Sequence, residues 1–282
     1  MRDKADLLID NPGSRSIVAD LTLCEQQGKL PIVLFCHGYK GFKDWGHFNL
    51  LPGHFTKAGF HFLKFNFSHN GGTPENPIDF PDLDAFSENN YTKEIHDIKQ
   101  VIDWVCMNDN PSSSQIDLNR IYLMGHSRGG AMSIITASID RRVRKLITWS
   151  SVGDLETRFP GKEKLDEWKQ KGVIFVKNTR TKQQMPLKYQ FYLDFKQNRE
   201  LLDVKKAERS LKIPHLLIHG TADETVHLGE ALQLMSLNER ANLIKINNAT
   251  HTFGAFHPYM SSKLPKHAEL AVNFSIDFFQ NE

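Results

Sequence analysis

The amino-acid sequence predicts an α/β fold, a three-layer α/β/α sandwich around a mostly parallel, doubly wound sheet, and two observations carry this prediction. Short apolar runs of strand character alternate along the chain with segments whose apolar residues recur at helical spacing. Several of these runs are apolar almost throughout, which is typical of parallel strands covered by helices on both faces. The 282 residues can bury the core of one large domain, which we take to span 1–282.

The first predicted elements are strands with one helix among them. The alternating run "SIVADLTLC" at 16–24 suits a half-buried antiparallel strand. The apolar runs "LPIVLFC" at 30–36 and "FHFLKFNF" at 60–67 suit buried parallel strands, and the helix between them ends at Gly59. After a loop rich in Gly, Pro and Asn, an amphipathic helix follows. Its apolar positions are Ile95, Ile98, Ile102 and Val105.

The later part of the chain continues the alternation. In order come the strand "IYLMG", the helix "GGAMSIITAS", the strands "KLITWSS" and "IPHLLIHG", a helix around 231–235, and the strand "ANLIKIN". A terminal helix carries Leu270, Ala271, Phe274 and Phe278. This succession of elements predicts further parallel strands joined by helices that cover both faces of the sheet.

Residues 154–210 interrupt the alternation. Two polar helical patches flank "GVIFVKNTRTKQQMPLKYQFYLDF", where two alternating runs around "NTRT" predict a hairpin. We interpret the segment as a small insertion between two strands of the main sheet. Its aromatic residues either line an aromatic-binding pocket or form a small core that lets the insertion fold. These residues are Trp168, Phe175, Tyr189, Phe191 and Tyr192.

Composition and charge exclude several classes of function. The formal net charge is +2, and no cluster of basic residues stands out from the acidic residues around it. Both observations argue against a nucleic-acid-binding surface. No apolar run approaches the roughly 20 residues that cross a bilayer, and the first residues lack the apolar stretch of a signal peptide, so we expect a cytoplasmic protein without a membrane partner. The cysteines Cys24, Cys36 and Cys106 lack metal-like spacing and are expected to be reduced.

A serine among three glycines is the strongest local motif. Ser127 lies between Gly125, Gly129 and Gly130, and "GHSRG" fits the G-x-S-x-G nucleophile elbow, in which the serine occupies a strained turn between strand and helix. The glycines let strand and helix approach, because a side chain there would collide with neighbouring backbone. Strand-like residues precede the motif and helix-like residues follow it. The sequence therefore predicts Ser127 as a nucleophile at the carboxyl edge of the sheet.

A serine nucleophile needs an oriented base to take its proton. For elbow serines the acid and the histidine are expected to follow in that order along the chain. Asp223 in "TADETV" follows one predicted strand and His251 in "NNATHTFG" follows the next, so we predict a triad of Ser127, His251 and Asp223. Asp154, after "KLITWSSVG", is the alternative acid. Glu224 is expected to face solvent or to cap the following helix.

Two backbone N–H groups are predicted to stabilise the oxyanion of acyl transfer. One belongs to Arg128, beside the serine at a helix start, and the other to Tyr39 in "FCHGYKG", where Gly38 lets the backbone bend. Losing one such donor costs on the order of 10²–10³ in rate. Gly38 and Tyr39 are also the predicted substrate-binding residues. The ring of Tyr39 either walls the acyl pocket or is a partly exposed loop aromatic.

The remaining histidines and lysines near these motifs have simpler interpretations. His37, His126 and His219 each lie beside a strand end, where packing or a supporting hydrogen bond explains them. Lys40 and Lys43 are predicted to be solvated charges. None of the five is predicted to take part in the chemistry.

With these motifs in order, the chain resembles the α/β-hydrolase superfamily. It is similar to small bacterial cinnamoyl (feruloyl) esterases and dienelactone-hydrolase-like enzymes, and it shares features with the catalytic domain of prolyl-oligopeptidase-type peptidases. "HGYKG", "GHSRGG", "HGTADETV" and "THTFG" carry the resemblance, over residues 16–279. It implies the triad and donors named above and, by analogy, a small cap over the acyl site at 154–210. The sequence departs from the esterases at Arg128, where Gln is frequent, and at "SHNGGTPENP", which lacks the usual acidic residue.

The predicted function is hydrolysis of carboxylic esters, of the cinnamoyl type or other small esters, through an acyl-enzyme and without a metal or organic cofactor. The alternatives are a peptidase or amidase with the same triad, a thioesterase, and a non-catalytic binding module on the same scaffold. Relatives that cleave oligopeptides carry an N-terminal propeller, whereas this chain starts almost directly at the sheet, which favours esters. The expected partner is a small-molecule ester, and a monomer and a homodimer are both compatible with an apolar edge strand.

Overall fold

The computed structural model describes residues 2–108, 110 and 112–281, with side chains from residue 7 onward. The strands in these residues are β1 (Arg2–Ile9), β2 (Ile17–Leu23), β3 (Leu30–Cys36), β4 (His61–Phe65), β5 (Ile116–His126), β6 (Val143–Trp149), β7 (Val173–Lys177), β8 (Gln184–Lys188), β9 (His215–Gly220) and β10 (Ala241–Ile246). The α-helices are α1 (Leu51–Lys57), α2 (Leu83–Ser87), α3 (Tyr91–Cys106), α4 (Arg128–Ile139), α5 (Lys162–Lys171), α6 (Gln190–Gln197), α7 (Val204–Ser210), α8 (Leu228–Ser236) and α9 (Lys266–Gln280).

Eight strands form the main sheet, in the order β1-β2-β4-β3-β5-β6-β9-β10. β2 pairs antiparallel with β1 and β4, and the other neighbouring strands pair in parallel. From β3 the chain passes to β4 on one side and then returns to β5 on the other, so the direction of winding reverses between β3 and β5. In such sheets the carboxyl ends of the strands at the reversal open a crevice that binds ligands. The loop after β3 and the turn after β5 meet at this point.

Helices cover both faces of the sheet. Along β3, Val33 and Phe35 face a core shared with α1 and α9, whereas Ile32 and Leu34 face a core shared with α3, α4, α7 and α8. Alternate side chains of a strand point to opposite faces, so an uninterrupted apolar run is required when both faces are covered. The predicted three-layer α/β/α sandwich with a mostly parallel sheet is confirmed.

Three local expectations need correction at the antiparallel side of the sheet. β1 was not predicted, because its sequence "RDKADLLI" is half charged and becomes apolar only near its end. β2 is buried along most of its length rather than on one face, with Val18 and Thr22 each 4% exposed. The loop after β3 lies against that second face, where Lys43 Nζ contacts Asp20 Oδ2 at 2.8 Å. Lys43 is therefore buried and ion-paired, not a solvated charge.

The terminal helix α9 follows the expected apolar positions only in part. Ala271 is buried and Phe278 packs partly buried against the core, but Leu270 and Phe274 are 38% and 37% exposed. The side chains that α9 buries are Ala268, Ala271, Val272, Ser275 and Phe279. Small side chains let the axis of α9 lie close to the sheet. Close packing therefore decides which face of the helix is buried, and the size of its apolar side chains does not.

The segment 154–210 contains α5, the β7–β8 hairpin, α6 and α7. The predicted hairpin is confirmed as an antiparallel pair, with Ile174 opposite Leu187. Val204 and Ala207 of α7 belong to the main core beside α4, so α7 acts as a covering helix of the sheet before β9. The part of the segment before α7 lies beside the crevice, where its apolar side chains join Ser127 in lining one cavity.

Candidate active site

The turn between β5 and α4 holds Ser127 in a strained conformation. Its φ of 58° and ψ of −120° are sparsely populated by residues other than glycine. A Cβ at Gly130 would come within 2.6 Å of Ser151 Oγ, and a Cβ at Gly129 would overlap the carbonyl oxygens of Cys36 and His37. Gly129 is thus required because α4 begins in direct contact with the backbone at the end of β3, and Gly130 is required because Ser151, after β6, lies against it.

The turn after β9 fixes the carboxylate of Asp223. Its Oδ1 accepts the backbone N–H groups of Thr225 and Val226, both at 2.9 Å, and its Oδ2 lies 2.8 Å from His251 Nδ1. Burial by itself would raise the pKa of Asp223, but hydrogen bonds from His219, His251 and the backbone outweigh it and lower that pKa well below the usual range. The carboxylate therefore stays ionised and orients the His251 ring.

Two further histidines hold this arrangement in place. His126 Nε2 donates to the backbone oxygen of His251 at 2.9 Å. Burial, together with the neighbouring His251, lowers the pKa of His126 to about 3, so its ring is neutral. His219 Nε2 donates to the backbone oxygen of Val226 at 2.8 Å and lies 3.4 Å from Asp223 Oδ2. The supporting roles that the sequence indicated for these two histidines thus consist of named hydrogen bonds to the acid and base loops.

Ser127 and His251 line the same cavity of 620 Å³ at the carboxyl edge of the sheet. Since Nδ1 of His251 is engaged by Asp223, Nε2 is the nitrogen available to a hydroxyl. Within the part of the chain that the structure describes, Ser127 Oγ has no hydrogen-bond partner and is not bonded to His251. Such bonds are often long in a free enzyme and shorten when substrate binds.

The loop after β3 lies directly against the serine. A Cβ at Gly38 would be 2.9 Å from Ser127 Cβ, so only glycine allows this approach. His37 stiffens the loop, because its Nδ1 donates to Gly38 O at 2.9 Å while Phe67 N–H donates to its Nε2 at 3.3 Å. Burial lowers the pKa of His37 to about 4 and keeps it neutral. The predicted donors, Tyr39 N–H in this loop and Arg128 N–H at the first turn of α4, therefore flank the serine.

The other candidate acids lie elsewhere. Asp154 forms an ion pair of 2.7 Å with Lys205 and borders a separate cavity that Ser127 does not line. Glu224 is exposed, as expected. Of the three acidic residues considered, Asp223 is the one that contacts His251.

Aromatic and aliphatic side chains form most of the cavity surface. Both interpretations of the aromatic residues in 154–210 apply in part, since Trp168 and Phe191 are buried in a common core and also border the cavity. Phe175 is neither buried in this core nor part of the cavity lining, and it is 61% exposed. The apolar residues that line the cavity are Val152, Leu155, Phe159, Pro160, Trp168, Ile174, Val176, Leu187, Phe191 and Val226.

The side chain of Arg128 also belongs to the site, although only its backbone N–H was predicted to take part. Its guanidinium carbon lies 4.0 Å from the ring centroid of Tyr39, and its Nη1 lies 3.3 Å from Oε1 of Glu94 on α3. The available signal was Glu94 itself, which shares the buried face of α3 with Ile98 and Val101 at helical spacing. A carboxylate in such a stripe indicates a buried cation nearby.

Comparisons with known proteins agree with this fold. The chain is similar to the structure of Est1E from Butyrivibrio proteoclasticus bound to ferulic acid, at 19% identity and a TM-score of 0.73, covering 96% of this chain and 97% of that one. It is also similar to dienelactone hydrolase from Anabaena variabilis ATCC 29413, at 16% identity and a TM-score of 0.65, covering 99% of this chain and 96% of that one. The chain is similar to mouse alpha/beta hydrolase domain-containing protein 10 as well, at 18% identity and a TM-score of 0.66, covering 96% of this chain and 97% of that one.

The protein is a serine hydrolase with the α/β-hydrolase fold, and the resemblance drawn from its motifs is confirmed. A family model matches residues 48–254, and the chain therefore belongs to the prolyl oligopeptidase family. A comparison with curated protein sequences finds no match. Among the described residues, no helix combines the length and apolar character needed to span a membrane.

Proposed function

We propose that the protein hydrolyses carboxylic esters of small, mainly apolar molecules through an acyl-enzyme on Ser127. The observation that carries the proposal is the bond of 2.8 Å between His251 Nδ1 and Asp223 Oδ2, made beside a cavity that the strained Ser127 also lines. An elbow serine, an oriented imidazole and an ionised carboxylate are the three groups that this chemistry requires.

In the proposed mechanism, Ser127 Oγ attacks the ester carbonyl while Nε2 of neutral His251 takes its proton. Asp223 holds the ring and stabilises the imidazolium that forms. His251 then gives the proton to the departing alcohol. Water, deprotonated by the same nitrogen, attacks the acyl-enzyme, and the acid leaves as Ser127 regains its proton.

The oxyanion of each tetrahedral intermediate would accept hydrogen bonds from the N–H groups of Tyr39 and Arg128. Support comes from their position, since both flank Ser127, and an N–H at the first helical turn has no partner within its helix. The positive end of the α4 dipole adds to this stabilisation. His37 would act on the rate indirectly, by fixing the backbone at Gly38.

The size and surface of the cavity favour a small ester over a polypeptide. Its 620 Å³ falls in the range of about 300–1,000 Å³ that is usual for sites of small ligands. Side chains of α5, β7, β8 and α6 border it. A peptidase or amidase with the same triad is the second candidate, favoured by the match to the prolyl oligopeptidase family.

The decisive experiment combines labelling with a substrate comparison. We expect a fluorophosphonate probe to label the wild-type protein and not Ser127→Ala, with unchanged circular dichroism. We expect turnover of p-nitrophenyl acetate and butyrate to exceed that of aminoacyl p-nitroanilides. A wild-type protein that stays unlabelled while control hydrolases react contradicts the proposed catalysis. Labelling with faster turnover of the anilides shifts the assignment to a peptidase.

A further inference from the structure

The charges at the surface of the cavity all have one sign. Three cationic side chains line it, Lys40, Arg128 and Arg158, and no aspartate or glutamate among the described residues does. Arg128 and Arg158 contact Glu94 and Glu230 respectively, but these carboxylates lie behind the arginines and outside the lining. The molecule that enters the cavity therefore meets apolar walls and positive charge.

Arg128 has hydrogen-bonding capacity that the protein leaves unused. Its side chain is 12% exposed, and the single bond to Glu94 Oε1 is long, at 3.3 Å. A guanidinium has five N–H donors, and among the described residues the others bond to nothing. Rings of Tyr39, Tyr91 and Phe191 surround the group, with centroids 4.0, 5.2 and 5.3 Å from its central carbon. The aromatic rings restrict the guanidinium, so it is preorganised for a ligand.

Lys40 adds a second positive charge beside the same aromatic ring as Arg128. Its Nζ lies 5.3 Å from the centroid of the same Tyr39 ring, and it has no carboxylate partner in the described part of the chain. Burial and then repulsion by Arg128 lower the pKa of Lys40. An anion bound at this wall would offset the repulsion. Two cations at one cavity wall, with a single long contact from Arg128 to Glu94 and no carboxylate partner for Lys40 among the described residues, are the electrostatic pattern of an anion subsite.

We propose that the substrate is an ester that also carries a free carboxylate, bound by Arg128 with support from Lys40 while the apolar walls hold the carbon skeleton between the two groups. The inference rests on the proposed ester hydrolysis and specifies its substrate class. A carboxylate suits the site because a guanidinium can donate two parallel N–H bonds to it. Half-esters of dicarboxylic acids are the simplest molecules with this chemistry.

The test compares two esters that differ only in charge. Monomethyl suberate carries the carboxylate, and the methyl ester of suberamic acid replaces it with a neutral amide of nearly the same shape. A hydrogen bond to a charged group changes affinity by roughly 10- to 100-fold. We expect kcat/KM for the carboxylate to exceed that for the amide by such a factor. The same comparison is repeated with monomethyl adipate and the methyl ester of adipamic acid, whose chains are shorter. The chain length with the larger preference for the carboxylate indicates the distance between Ser127 and the anion subsite.

Substitutions test which side chains cause the preference for the carboxylate ester. We expect Arg128→Met to abolish the preference for the carboxylate, Arg128→Lys to restore part of it, and Lys40→Met to reduce it. Lys169→Gln removes one positive charge from the exposed face of α5 and should leave the preference intact. Because the readout is the ratio between two substrates, a general loss of activity in an Arg128 variant does not imitate the expected result.

A binding measurement separates this inference from the proposed catalysis. Calorimetric titration of Ser127→Ala with the same two esters needs no turnover. Tighter binding of the carboxylate, lost in Ser127→Ala/Arg128→Met, supports the anion subsite even if the wild type hydrolyses neither ester. Equal affinity for carboxylate and amide overturns the inference, and ester turnover by the wild type would then still support the proposed function.

Discussion

The two walls of the cavity are built in different ways. One, the sheet wall, consists of Tyr39, Ser127 and His251 on loops at the strand ends, and backbone-to-backbone contacts at glycines determine its shape. The other, the cap wall, consists of side chains from α5, β7, β8 and α6, held by ring packing such as Phe159 against Phe191 at 5.6 Å. Backbone contacts tolerate no added atom, whereas packed side chains can be exchanged for others of similar volume. The sheet wall is therefore suited to fix the chemistry and the cap wall to vary the substrate.

Gly129→Ala tests the rigidity of the sheet wall and should have the largest effect. The new Cβ would overlap backbone oxygens of Cys36 and His37, and these cannot move without displacing β3. We expect a loss of roughly 4–5 kcal/mol or more in the free energy of unfolding, seen as insoluble protein or an early urea transition. Gly229→Ala in α8 is the control, with nothing within 4 Å of its Cβ, and should stabilise by about 0.5–1 kcal/mol. Equal stability of the two variants would contradict this account.

Asp223→Asn tests the chemistry of the sheet wall without disturbing its shape. The amide oxygen can keep the bonds from Thr225 and Val226, while its NH₂ group faces His251 Nδ1 and favours the wrong tautomer. We expect kcat for p-nitrophenyl butyrate to fall by about 10⁴ with an unchanged circular dichroism spectrum, and the melting temperature to fall because the ionised carboxylate stabilises the fold. Asp154→Asn, which removes an ion pair with Lys205, should leave kcat unchanged. The opposite result would make Asp154 the catalytic acid.

Trp168→Phe tests the cap wall. The change removes the hydrogen bond of 2.8 Å from Trp168 Nε1 to Leu187 O and leaves that carbonyl without this partner. We expect a loss of about 1–3 kcal/mol in stability and a larger change in KM than in kcat, since this wall touches no reacting atom. Phe175→Leu, at an exposed ring of β7, should change stability by less than about 0.5 kcal/mol. A fall in kcat without a change in KM would contradict the division of roles.

The main sheet and the segment 154–210 also differ in how their stability responds to acid. Burial lowers the pKa of His47, whose ring stacks on Trp149 of β6, to about 4, and the range 154–210 contains no histidine. The unfolded chain takes up this proton near pH 6.5 and the folded chain only near 4, so stability is complete above 6.5 and falls as the pH drops between these values. His37 and His126 act in the same direction.

His47→Phe should reduce this dependence by up to about 1.4 kcal/mol per pH unit. Neither ring nitrogen of His47 has a hydrogen-bond partner among the described residues, so the substitution breaks no bond, and a phenyl ring can keep the stacking on Trp149. Urea unfolding of both proteins at pH 7 and pH 5 measures the difference. A variant with the wild-type pH slope would show that His47 is not neutral in the folded protein.

Sequence reasoning succeeded where a few consecutive residues determine the structure. The elbow around Ser127, the hairpin in 154–210 and the buried β3 each follow from local patterns and appear in the structure. It failed where burial depends on distant partners. Lys43 was expected to be solvated because only the fold brings Asp20 to it, although its other partner, Asp44, is adjacent in the sequence. β2 was expected to be half-buried because the loop that covers its second face is irregular. The catalytic roles of Ser127, Asp223 and His251 remain predictions that the variants above test.

The sequence by itself determined the layered α/β architecture and the loops that carry the serine, the acid and the histidine, because periodicity and glycine placement act over a few residues. Only the tertiary structure decided the character of the cavity. Its charge comes from Lys40, Arg128 and Arg158, which are separated along the chain, and most of its apolar wall comes from the segment 154–210, which contains Arg158. Electrostatic and packing energies depend on distances in space, and these exist only once the chain has folded.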